Sequence, residues 1–307
     1  MKLCVILLIG LFSQLSTIGA AEPAVINPHE VISKAITISI EDHVIPHDHP
    51  LKQKLDTLFS THNVLFSTAT FKKAGFYNSQ ERRKGLIVTG HPNFPGYLFK
   101  LYLESSGTDE VEQYSKRING AVLIQNALDN YKYNHIMKVP KKLVYAVPAE
   151  SKVYQPGKYP KKYILVVEDM DIFSDDENRK LYKTIITREH LDALFNVLTG
   201  CLLSDSTWLP NIPFSHDGRI AFIDTEFAGN TQTIWSRLGR MSKNLSPEMR
   251  SYWANIVLNN HRPKGIESAS EETDEGELDL AAFTEASDVE EIDVLSYEFD
   301  ALPLKRN

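Results

Sequence analysis

Cysteine is scarce in this chain, which has two, Cys4 and Cys201. Cys4 lies in an N-terminal apolar run; a chain that has lost that run keeps one thiol and has no internal disulfide. A disulfide framework is therefore excluded, and stability has to come from the core. Cys201 falls in an apolar helical pattern and reads as a packing residue. Long apolar runs are also lacking. The longest, Leu3 to Phe12, is too short to span a bilayer comfortably, and no later stretch reaches the length of a transmembrane helix. No internal repeat is present. Cations are missing from Gly265 to Leu304, which carries fourteen Asp or Glu and no Lys or Arg.

What remains is ordinary for a globular protein: 307 residues, 42% hydrophobic and 24% charged, enough for one large domain or two small lobes. Lys2, the apolar run and the small residues through Ala20 and Ala21 have the pattern of a secretory signal peptide, with cleavage near residue 21. Export is the expectation. The formal charge of the chain is -7. With the acidic tail and the terminal Lys305 and Arg306 set aside, residues 1–264 carry about +5. The tail reads as solvated and disordered.

Residues 22–60 form a polar leader with a short helix near Leu51 to Phe59. In it, His43, His47 and His49 cluster around prolines; they read as a solvated loop, with a metal-binding tract as the sharper alternative. Val64 to Thr70, Gly85 to Thr89 and Tyr97 to Leu103 read as strands. In the third, alternation puts Leu98, Lys100 and Tyr102 on one face, with Tyr97, Phe99, Leu101 and Leu103 on the other. Lys100 points either to solvent or into a cleft. Glu110 to Tyr133 has helical spacing, Val139 to Val147 and Tyr163 to Val167 read as strands, and the last runs into Glu168–Asp169–Met170. Arg188 to Leu203 is an amphipathic helix that leads to Asp205. Asp217–Gly218 is a favoured hairpin turn, and the strand Arg219 to Ile223 ends at Asp224. Ile234 to Met241 and Pro247 to Asn259 read as helices, the second capped by Ser246.

The order of strands, strand lysine, helix, two strands, long helix, acidic loop, hairpin and aspartate resembles the protein-kinase-like superfamily over roughly Val64 to Asn259. Asn211 and Asp224 lie thirteen residues apart, as the two magnesium ligands of protein kinases do. The apolar strand ending in Glu168–Asp169 is similar to the hinge of aminoglycoside and choline kinase-type proteins. The resemblance implies an α+β, two-lobed fold: a small antiparallel-sheet lobe over 61–170, a reduced helical lobe over 171–263, and the acidic tail from 264. It implies ATP and Mg²⁺ as cofactors. Lys100 would meet the nucleotide phosphates, and the backbone at Glu168, Asp169 and Met170 the adenine. Asn211 and Asp224, with Glu226 as an addition, would hold the metal, and Asp205 would accept the proton of an acceptor hydroxyl.

The pattern departs from the family in four places. Asp205 stands six residues before Asn211, not five. Asp224 is followed by Thr225–Glu226, not Phe-Gly. No Gly-x-Gly-x-x-Gly precedes Lys100, which leaves Gly75 or Ser67 to Thr70 to cover the phosphates. No Glu lies in the helix between Ser115 and Leu128, so Gln125 or Glu112 would have to partner Lys100. An inactive pseudokinase that binds or scaffolds is the alternative, and an exported histidine-cluster metal binder a third. The expected partners are a nucleotide and a protein or small-molecule acceptor, without nucleic acid.

Overall fold

The computed structural model describes residues 39–60, 63–81, 85–148, 156–226, 228 and 234–261. The signal-peptide and acidic-tail readings, and residues 22–38 of the leader, lie outside these residues. In chain order come helix α1 (Pro50–Ser60), helix α2 (Thr68–Lys73), strands β1 (Tyr77–Glu81), β2 (Leu86–Gly90) and β3 (Tyr97–Tyr102), and the long helix α3 (Glu110–Tyr131). Strands β4 (Met137–Lys138), β5 (Lys142–Ala146) and β6 (Tyr163–Glu168) follow, then helices α4 (Asp175–Thr184) and α5 (Arg188–Gly200). Short strand β7 (Ile220–Ala221) and helices α6 (Ile234–Leu238) and α7 (Pro247–His261) complete the order. The fold is α+β, with a small antiparallel sheet and a helical body. Among the described residues, no helix is long and apolar enough to cross a membrane.

Five strands make the sheet in the order β1-β2-β3-β6-β5, all antiparallel. The strand alternation read from Tyr97 to Leu103 explains how the sheet is covered on both sides. Phe99 and Leu101 pack with Ile164, Val166 and Tyr145 against Leu55 and Phe59 of α1 and Phe71 of α2. Tyr102 packs on the opposite face with Leu165 and Val167, against Tyr114 and Ile118 of α3. Lys100 shares that second face, at the centre of β3, opposite Leu165. Helix α3 thus covers the side of the sheet from which Lys100 projects.

Two expectations change here. Val64 to Thr70 is not a strand. Ser67 caps α2, accepting the Thr70 N–H at 3.2 Å, while the Thr70 side chain accepts the Ser67 N–H at 3.1 Å. That reciprocal cap starts a helix and overrides the β-branched composition. The segment 40–60, read as leader, also belongs to the folded unit in part: Ile45, Leu51, Leu55 and Phe59 are buried in the sheet's core. Amphipathic α1 has nowhere else to place that face.

The helical body is built on α5, whose Leu191, Leu194, Leu198 and Cys201 stripe packs against Leu128 of α3 and Trp253 of α7. Met137 and Lys138 pair in parallel with Ile220 and Ala221, so β7 and the loop around it are tied to the segment that follows α3. The Asp217–Gly218 turn forms as expected, with Gly218 at φ 83°, a conformation glycine adopts without a Cβ clash. Ser215, Arg219 and Lys138 all donate to the Asp217 carboxylate. Ser246 caps α7 by accepting the Met249 N–H at 3.3 Å.

Candidate functional site

Three segments converge beside the centre of β3: the loop Asp205 to Asn211, the stretch Ile223 to Glu226 after β7, and, from far away in sequence, the middle of α3. The stretch after β7 is located by backbone bonds. Ile223 N–H donates to Asn211 O at 3.0 Å, so the end of the 3₁₀ turn Leu209–Asn211 lies beside the chain that leads from β7 to Asp224. Ser206 Oγ donates to Asp224 O at 3.3 Å and ties the loop to the same point. From across the sheet, Lys100 Nζ donates to Ile223 O at 3.3 Å. Lys100 and Asp224, separated by more than a hundred residues, therefore stand close together.

Asp224 is held as a carboxylate. Burial pushes its pKa up, but Lys100, Arg117, Lys142 and the Glu226 N–H outweigh burial and leave it below the ordinary carboxylate value. Its Oδ1 is buried and has no hydrogen-bond partner among the described residues. A buried carboxylate oxygen without a donor is costly unless something else satisfies it. Asn211 uses Nδ2 to donate to Asp205 O at 2.9 Å, which leaves its Oδ1 as the oxygen for a hard cation. An aspartate and an amide oxygen fit the donor set of magnesium.

Glu226 is committed differently. It forms a 2.5 Å ion pair with Arg117 of α3, both side chains at most 10% exposed. Arg117 is a residue that sequence reasoning missed, and so is Lys142. The Lys142 ammonium, on β5, donates to Arg117 O at 3.1 Å and to Thr225 Oγ1, and Thr225 Oγ1 donates to Arg117 O. Burial first, and then the Lys100 cation, hold Lys142 well below the ordinary lysine value. Gly120 completes the contact: a Cβ there would collide with Thr225 O. The glycine lets α3 lie directly on the residue after Asp224.

The helix residues expected to partner Lys100 are elsewhere. Gln125 bonds Asp129 and Asn134 at the surface, and Glu112 pairs with Lys116. In their place α3 offers an arginine, and its partner is Glu226. Ser67 is used as the α2 cap, and Gly75 lies against His91.

Asp205 opens the loop from the other side. Its Oδ1 accepts from Arg237 Nη1 of α6 at 2.8 Å. Burial raises its pKa, Arg237 lowers it and Asp224 raises it again, for a net shift above the ordinary carboxylate value. The response of Asp205 to Asp224 places both acids in one electrostatic field.

At the end of β6, Glu168 Oε2 accepts the Lys141 N–H, and Asp169 Oδ1 accepts the Asp171 N–H, each at 3.1 Å. Asp169 N–H donates to Gly96 O, and Met170 O accepts from Lys138 Nζ at 3.1 Å. The two acids thus shape the strand exit. Two of the three clustered histidines have backbone partners. His49 Nδ1 accepts from Leu51 N–H at the start of α1, and His43 Nδ1 lies 3.3 Å from Lys142 O. No group of three metal-capable side chains occurs among the described residues.

Neither a scan against protein-family profiles nor a search of curated proteins finds a match for this chain.

Proposed function

We propose that this chain is an atypical protein-kinase-like phosphotransferase, exported through an N-terminal signal peptide, that moves the terminal phosphoryl group of ATP to a hydroxyl acceptor. One observation carries the reading: the central-strand lysine Lys100 reaches Ile223 O at 3.3 Å, beside Asp224. The strand order β1-β2-β3-β6-β5, with α3 between β3 and β5 in sequence, supports a two-lobed kinase-like arrangement. The charges support an anionic ligand. Lys100 acts on Asp224 and, unlike the buried Arg117 and Lys142, is only partly covered, so its ammonium is the cation that a polyphosphate would meet.

In this reading Lys100 orients the phosphates. Asp224 Oδ1 and Asn211 would hold magnesium, which supplies charge neutralisation on the phosphate oxygens when bound. Glu226 stays with Arg117 and positions the segment that carries Asp224. Asp205 takes the proton of the acceptor hydroxyl. Backbone groups around Met170 are the adenine contacts.

The test is ATP binding and turnover with Mg²⁺ or Mn²⁺, comparing wild type with Asp224→Ala. Metal-dependent binding and turnover, both lost in the variant, is the expected result. Absence of nucleotide binding with either metal refutes the proposal. N-terminal sequencing of the exported chain tests cleavage near residue 21.

A second reading, a nucleotide-binding scaffold without turnover, is favoured by one observation: the would-be base Asp205 is already paired with Arg237 at 2.8 Å. Tight metal-dependent ATP binding with no turnover on any acceptor would select it.

A further inference from the structure

The acceptor side of the site carries a group of side chains that nucleotide chemistry leaves unused. Trp208 stands between the 3₁₀ turns Asp205–Thr207 and Leu209–Asn211. It is 44% exposed, one of the few large apolar side chains at the surface. Opposite it run α6 and the 3₁₀ turn Gly239–Asn244 that continues it. Their Arg237 and Arg240 stand three positions apart, and partial burial, then the neighbouring Arg237 cation, lower the pKa of Arg240. Arg237 is paired with Asp205. Arg240 lies over the Trp208 ring, 5.8 Å from its centroid, and has no salt bridge among the described residues.

One guanidinium is thus paired with Asp205, and a second stands near it in the field of the same carboxylate. A core role does not explain the pair. Arg240 is exposed, and an exposed tryptophan under a guanidinium is a recognition surface more often than a packing element. The surplus positive charge is on the acceptor side, next to the group that would take the acceptor's proton. Guanidinium forks match phosphate and carboxylate oxygens in pairs.

We infer that the acceptor is a small hydroxyl-bearing molecule with its own phosphate or carboxylate, held by Arg237 and Arg240 against Trp208. This deepens the phosphotransferase reading and rests on it. The acceptor's anion draws Arg237 away from Asp205, which frees the carboxylate to accept the hydroxyl proton. The hydroxyl oxygen then attacks the terminal phosphorus, ADP leaves with the bridging oxygen, and the proton rests on Asp205. An empty acceptor subsite keeps the base latched, which suppresses wasteful transfer to water.

The experiment uses the full mature chain and three probes of similar size: glycerol 3-phosphate, glycerate and glycerol. Each is titrated in the presence of MgATP, reading ADP release and tryptophan fluorescence, with Trp208→Phe as the control for the fluorescence signal. At least one anionic probe is expected to act at concentrations about tenfold or more below glycerol, a difference of about 1.4 kcal/mol. The phosphate and carboxylate arms show which anion is preferred. Arg240→Gln should remove most of that preference with MgATP affinity unchanged. Asp205→Asn should abolish ADP release while binding the anion as tightly as wild type or more so, because the competing carboxylate is gone.

Glycerol acting as well as the anions, or no response to any probe, overturns the inference while MgATP binding keeps the phosphotransferase reading. A loss of MgATP affinity in Arg240→Gln assigns the arginines to the nucleotide and overturns it equally. Failure of MgATP binding in the wild type removes both.

Discussion

The Arg117–Glu226 pair is the most demanding test of the site's construction. The two side chains are 5% and 10% exposed, and they join α3 to the residue two past Asp224. Removing one partner of a buried pair leaves a charge without compensation, a loss of about 3–5 kcal/mol. Each single loss, Arg117→Met or Glu226→Gln, should fall in that range. The double variant Arg117→Met/Glu226→Met removes both charges and should recover part of the loss, with a coupling energy of about 1–3 kcal/mol. Urea denaturation of all four proteins, compared at constant m, provides the measurement. Additive losses would refute this account of the cluster.

Three further outcomes follow from the same geometry. Gly120→Ala should destabilise by about 1–3 kcal/mol, because its Cβ meets Thr225 O on a buried backbone; denaturant titration and MgATP affinity should both show the displacement of α3. Asp205 has its pKa raised, so it binds protons in the folded chain at pH values where the unfolded chain has released them. It therefore lowers stability as pH rises through its folded pKa. The acidic limb of a pH–rate profile should lie above the ordinary carboxylate value, and Arg237→Gln, by removing a cation, should move it higher. Cys201 is fully buried with its pKa pushed up to about 12; in a chain lacking Cys4, thiol reagents should react with it only on unfolding, and fast labelling of the native protein would contradict the core described above.

The sequence showed the helices with strong periodicity and clear caps, α3, α5 and α7, and the strands with apolar alternation or compact runs, β3 and β6. Local chemistry controls those elements. It also marked Lys100, Asn211 and Asp224, because a lysine in an apolar strand and a Gly-turn hairpin ending in Asp are visible within a few residues. Two further helices carry their start signal in the sequence. Ser174 and Glu177 form a reciprocal cap at the start of α4, and Ser67 with Thr70 does so for α2. The polar strand β1, YNSQE, carries no apolar pattern because it lies at the sheet edge.

The electrostatic partners were decided by tertiary structure alone. Arg117 reaches Glu226 over 109 positions and Lys142 reaches Thr225 over 83. Nothing local distinguishes Arg117 from any other helical arginine, or Lys142 from the Lys141 beside it. Which lysine projects to solvent and which is buried under α3 depends on sheet register and on the close approach that Gly120 allows. The residue types at Lys100, Asn211 and Asp224 are set in the sequence by the chemistry each can perform. Their charge states and partners come from folding, because burial and opposed charges act only once distant segments share a low-dielectric space.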